Sequence, residues 1–125
     1  MDANPIVLED AAEDVVMVVV EGEHDIYTAP TLRERLDEAI GRSNGVVVDL
    51  TGATFVDSSV LGALLDARRR ALDAGQGFVV CVGDEVEPGV QRILDITGLV
   101  PVLPVVNGRE EAIRTARGSN GSSGR

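Results

Sequence analysis

The sequence predicts a single α/β domain with a mixed, mostly parallel sheet of about five strands, an N-terminal antiparallel hairpin and about four helices. Three runs rich in β-branched residues carry that reading: Val15–Val20 (VVMVVV), Val46–Leu50 (VVVDL) and Phe78–Val82 (FVVCV). Short, continuously apolar runs of this kind suit strands buried on both faces. Amphipathic helical periods lie between them, and strands alternating with helices imply parallel pairing. At 125 residues the chain suits one domain with an ordinary apolar core.

Taken in order, Ile6–Leu8 is a short strand expected to pair with Val15–Val20 through the acidic turn Glu9–Asp14. Residues 30–41 place Leu32, Leu36, Ala39 and Ile40 on one helical face and Arg33, Glu34, Arg35, Asp37 and Glu38 on the other. Pro30 suits the first turn, with Thr28 or Ala29 at the cap. After Val46–Leu50 a loop, Thr51–Val56, leads into a helix over 58–74 with Leu61, Leu64, Leu65 and Leu72 inward. Phe78–Val82 follows, then a helix over 87–97 carrying Val90, Ile93 and Leu94 and ending at Gly98 as the C′ residue. Val100–Leu103 is a last strand. Glu110–Arg117 is a last helix, acidic early and Arg-containing late, as its dipole favours. The domain is expected to span 1–117, with the Gly/Ser-rich tail 118–125 disordered.

Composition removes several function classes. Eleven basic residues face 21 acidic ones, for a net charge of −10, and all eleven are Arg. An acidic surface repels phosphate backbones and anionic lipid, which argues against direct nucleic-acid or membrane partners. Without Lys there is no Schiff-base chemistry and no Walker A loop. One Tyr, two Phe and no Trp leave little for stacking on bases or sugars. The single cysteine, Cys81, makes neither an internal disulfide nor a zinc site and fits a reducing cytoplasm; in FVVCV it reads as a small buried hydrophobe. MDANPIVLED lacks the layout of a secretory signal, and no apolar run approaches the roughly 18 residues of a membrane span. No cofactor or metal is expected.

The most informative stretch is Val46–Arg70, VVVDLTGATFVDSSVLGALLDARRR, in which a buried strand and a loop run into a helix starting at Asp57-Ser58-Ser59. Ser and Asp are common N-caps because their oxygens accept the unpaired amides of the first turn, so a capped helix accounts for the residue types by itself. The same amides and dipole also favour an anion there. A phosphate on a serine at this helix end would add about −1.5 to −2 charges without opposing the fold.

This stretch resembles the central motif of the STAS-domain anti-sigma factor antagonists, strand–loop–D-S-S/T-G-L–helix. Two flanking segments agree: Glu21–Ala29 (EGEHDIYTA) is similar to the family's G-E-L-D-x-x-T-A loop, and Pro88–Leu99 (PGVQRILDITGL) to its P-x-V-x-R-x-L-x-x-x-G-L helix. The resemblance implies that Ser58 is the phosphorylated serine and that Asp57 belongs to the partner-binding region. It implies too that Asp25 lies beside that site and that Ser59 is a helix-start residue. Two positions depart from the pattern. Val60 replaces the usual Gly and is expected to project from the first helical turn near the docking surface. His24 replaces the usual Leu and is expected to be a solvated loop side chain. The run Arg68-Arg69-Arg70 reads as solvated helix surface, or as a contact for an acidic partner patch.

Competing readings are narrower. Asp49 ends a buried strand as the phosphoacceptor of a response-regulator receiver domain would, but the chain has no Lys to neutralise the phosphoryl group. A serine hydrolase of Ser58, His24 and Asp57 lacks a G-x-S-x-G elbow. The resemblance thus implies a cytoplasmic, non-enzymatic regulator. Its surface of Asp25, Asp57, Ser58, Ser59 and Val60 would bind an anti-sigma factor with serine kinase activity and release it on phosphorylation of Ser58. A phosphatase would reset the cycle. The alternative within the same family is an accessory or scaffold subunit of a transport complex, with no phosphorylation switch.

Overall fold

A computed structural model describes residues 4–12, 14–83 and 105–121. Its main sheet has five strands in the order β1-β2-β4-β6-β7. They are β1 (Ile6–Ala12), β2 (Val15–Val20), β4 (Gly45–Asp49), β6 (Gly77–Val82) and β7 (Val105–Asn107). β1 pairs antiparallel with β2, and the other pairings are parallel. β1 continues to Ala12, so most of the expected acidic turn is strand: Glu9 and Asp10 pair with Met17 and Val16 at the sheet edge.

The continuous apolar runs are explained by two opposite faces. Val16, Val18, Val46, Val48, Phe78 and Val80 turn to one core. It is covered by α1 (Ala29–Gly41) and α2 (Ser58–Asp73). The residues between them, Val15, Met17, Val47, Val79 and Cys81, turn to a second core with Ala112 and Ala116 of α3 (Arg109–Gly121). Alternate side chains of one strand therefore enter different layers. α3 lies close on the sheet because glycines face it: a Cβ on Gly77 would sit 2.0 Å from the Ala116 carbonyl oxygen.

α1 and α2 pack side by side and are cross-linked by ion pairs, Arg33–Asp66 at 2.7 Å and Arg70–Asp37. Arg69 reaches Asp66 at 3.6 Å, so part of the Arg68-Arg69-Arg70 run is spent within the molecule. α2 ends in a Schellman motif, with Gly75 at φ +75°, its amide on the Leu72 carbonyl and the Gln76 amide on the Ala71 carbonyl. The buried stripe of α2 is Val60, Leu64, Ala67 and Ala71, flanked by Leu61 and Ala63. That stripe corrects two expectations. Leu72, expected inward, is 49% exposed, one position past the stripe; Val60, expected at the surface, is fully buried.

Besides β7, which lies beyond the expected last strand Val100–Leu103, two strands were expected as loop. β3 (Gly22–His24) and β5 (Ala53–Val56) form a separate two-stranded parallel ladder between the segments preceding α1 and α2. α3 runs to Gly121, past the expected domain end at 117. The expected helix 87–97, the strand Val100–Leu103 and the motif Pro88–Leu99 lie outside the described residues. Among the described residues no helix is long and apolar enough to cross a membrane.

Candidate functional site

The β3–β5 ladder places the start of α2 beside the loop that enters α1. Asp57 takes the N-cap of α2 in extended conformation. Its Oδ1 accepts from the amides of Ser59 at 2.9 Å and Val60 at 3.2 Å, and from the Ser59 hydroxyl at 2.5 Å. The Ile26 amide of the neighbouring loop faces the carboxylate and adds slightly to the stabilisation of its charge. Partial burial pushes the Asp57 carboxyl up, but these donors outweigh it and hold it below the ordinary carboxylate value.

The loop is fixed by its own bonds. Asp25 Oδ1 accepts the Tyr27 amide at 2.9 Å, and the Asp25 carbonyl accepts the amides of Thr28 and Ala29 at 3.1 and 2.9 Å. The Asp25 amide donates to Thr28 Oγ1 at 3.0 Å. Thr28 occupies the N-cap position of α1 without a side-chain cap bond, its hydroxyl being turned to this network. The solvated His24 expected from sequence is instead 1% exposed. Its Nε2 donates to the Glu21 carbonyl at 2.8 Å, and Nδ1 meets Thr28 Oγ1 at 3.1 Å. A buried imidazole persists because both nitrogens are satisfied. With both occupied, neither serves Ser58 as a base, which removes the hydrolase geometry.

The structure separates the site's hydroxyls by availability. Ser58 is exposed at the first position of α2, and its hydroxyl has no hydrogen-bond partner among the described residues. The Ser59 hydroxyl is committed to Asp57, and Thr51 Oγ1 to Asp49 Oδ1 at 2.7 Å. Asp25, Asp57 and Ser58 are thus brought to one surface, while Val60 points from it into the core.

One group that the sequence offered as a phosphoacceptor is locked. Asp49 is 1% exposed, and its Oδ2 accepts from Arg109 Nε at 3.0 Å and Nη2 at 2.9 Å. The hydrogen bond to Asp49 and its charge hold Arg109 above the usual arginine value despite partial burial. Arg109 thereby ties β4 to the start of α3. Cys81 is buried, and desolvation followed by the Asp49 charge pushes its thiol up. Among the described residues no group of three or more His, Cys, Asp or Glu is placed to hold a metal ion.

Comparison with known proteins agrees with this geometry. Residues 9–112 match the STAS domain. The chain is 34% identical over 101 residues to an anti-sigma F factor antagonist of Paenibacillus polymyxa, covering 79% of this chain and 84% of the relative. It superposes on an anti-sigma factor antagonist from Mycobacterium paratuberculosis with a TM-score of 0.77 at 25% identity, over 91% of this chain and 94% of that one. It also superposes on the anti-sigma factor antagonist SpoIIAA in its unphosphorylated form, with a TM-score of 0.71 at 26% identity, over 91% and 97% of the two chains.

Proposed function

The chain belongs to the STAS-domain family, and on that premise we propose that it is an anti-sigma factor antagonist whose hold on its partner is set by phosphorylation of Ser58. The observation that carries the reading is an available hydroxyl at the N-terminus of a helix. Ser58 is exposed and uncommitted at the start of α2, whereas the hydroxyls of Ser59 and Thr51 are tied to carboxylates. Such a helix end accepts a phosphate without strain on the fold.

In the unphosphorylated state the surface around Asp25, Asp57 and Ser58 binds an anti-sigma factor and so frees the sigma factor. The anti-sigma factor is also a serine kinase. To act it must bring the γ-phosphoryl group of ATP to Ser58 Oγ. The hydroxyl oxygen forms the new P–O bond as the bond to ADP breaks, and the hydroxyl proton leaves to a base of the kinase. The new phosphate then faces the ADP left behind, negative against negative inside an interface. Asp57 adds to that repulsion, and the complex separates. A phosphatase hydrolyses the ester and restores the binding state. The antagonist supplies a hydroxyl, a cap and a shape, and the partners supply the chemistry.

The test is incubation with the anti-sigma factor kinase and ATP, with the site located by mass spectrometry. The expected result is a single phosphate on Ser58, abolished in Ser58→Ala. Ser58→Glu is expected to keep the wild-type melting temperature and to lose partner binding. Phosphate on Ser59 or Thr51 overturns the site. Unchanged binding by Ser58→Glu overturns the switch and favours the transport-scaffold reading.

A further inference from the structure

Two of the three aromatic side chains in this chain are spent on the surface. Phe78 lies in the core, but Tyr27 is 87% exposed and Phe55 41% exposed. Phe55 lies on β5 and Tyr27 in the turn that follows β3, and Ile26, beside Tyr27, is 65% exposed. On β5 the end residues Ala53 and Val56 turn inward and leave Phe55 outside, three residues before Ser58 and opposite Glu23 in the ladder. The backbone beneath these side chains is held: Asp25 Oδ1 accepts the Tyr27 amide, and Phe55 is paired with Glu23 in the ladder. Exposed apolar groups cost a monomer burial energy, and grouped together they mark interaction sites. A large side chain on a backbone already held in place loses little entropy on binding, which is what binding hot spots require. Acidic residues adjoin the group: Glu23 lies opposite Phe55 in the ladder, and Asp25 and Asp57 lie two residues along the chain from Tyr27 and Phe55. Among the described residues the one basic neighbour lining a pocket with Tyr27 is Arg35.

We infer that Ile26, Tyr27 and Phe55 form the apolar anchor by which this surface grips its partner, an anti-sigma factor with an apolar pocket and basic groups opposite Glu23 and Asp25. The identity of the partner rests on the proposed function above; the anchor itself rests on exposure and fixed geometry. A second copy of the chain is the wrong occupant, because symmetric pairing would set this acidic border against itself. The anchor and the switch divide the work: the apolar groups supply grip and Ser58 supplies release.

The experiment places the photoreactive residue p-benzoylphenylalanine at position 27 of the full chain and irradiates living cells. An adduct with an anti-sigma factor is expected, and none when the label replaces Leu72, which lies about 20 Å along α2 from Ser58. No adduct, an adduct of twice the chain mass, or equal labelling from position 72 overturns the inference. With that anti-sigma factor purified, Tyr27→Ala is expected to weaken binding about 30-fold while its melting temperature stays at the wild-type value. If Tyr27→Ala binds like wild type and Ser58→Glu does not, the anchor fails and the switch stands. If Tyr27→Ala weakens binding and Ser58→Glu leaves it intact, the anchor stands and the switch fails.

Discussion

Replacing Asp57 by Ala removes the N-cap of α2. The lost acceptor served the Ser59 amide at 2.9 Å, the Val60 amide at 3.2 Å and the Ser59 hydroxyl. Loss of an N-cap alone costs about 1 kcal/mol, and up to about 2 where the cap has further partners. Three donors on one carboxylate oxygen, the Ser59 hydroxyl among them, put Asp57→Ala near the upper figure. At this chain length ~2 kcal/mol corresponds to a melting temperature lower by about 8 °C. Asp57→Asn keeps an acceptor oxygen and should recover most of the loss. The assay is urea unfolding at pH 7, read as a lower midpoint at unchanged slope. Acid brings wild type and the Asn variant together. The folded pKa of Asp57 lies below its unfolded value, so the carboxylate's contribution is complete above about pH 3.9 and is lost as pH falls through the lower folded value. The gap between wild type and Asp57→Asn, which does not titrate, therefore closes in that range. An Asp57→Ala protein within about 0.3 kcal/mol of wild type, or an Asn variant no better than Ala, would refute Asp57 as the cap that holds the start of α2.

Two further substitutions test the frame behind the site. Gly77→Ala drives a Cβ to 2.0 Å from the Ala116 carbonyl oxygen. It should cost about 3 kcal/mol by urea unfolding, whereas Gly41→Ala, with nothing within 4 Å, should stay within about 0.5 kcal/mol of wild type. Arg109→Ala leaves Asp49 charged and buried with only Thr51 as donor. Because the Arg109 side chain is itself 50% exposed, the loss should be about 2 kcal/mol, below that of a fully buried pair. An unchanged midpoint in either buried case would contradict the packing described.

Much of the frame was legible because its signals are local. The Val-rich strands face two cores and so lose the alternation that a one-sided strand displays, and the helices between them carry a clear stripe. The Asp57-Ser58-Ser59 cap was legible for the same reason: its bonds span two or three residues. What escaped depends on distant partners or on small residues. β3 and β5 are three and four residues long, too short for a period, and exist only by pairing across α1 and β4. The buried stripe of α2 uses Ala67 and Ala71 where counting large side chains selects Leu72. That same stripe starts at Val60, so a residue that looked like a surface departure is core. His24 seemed to belong in water because nothing nearby in sequence announces that both ring nitrogens have partners. The Asp49–Arg109 pair joins residues 60 apart in sequence.

The parallel ladder of β3 and β5 also sets an order of events during synthesis. Its two strands lie on either side of α1 and β4, so Asp25 and Ser58 are brought together only when the chain closes over that helix and strand. Non-local parallel pairing is among the slower steps available to a chain of this size. An incomplete or misfolded copy carries the serine without the loop beside it, and has the modifiable residue but not the surface. Whatever engages that surface is thereby reading a paired ladder and not a bare serine-bearing segment.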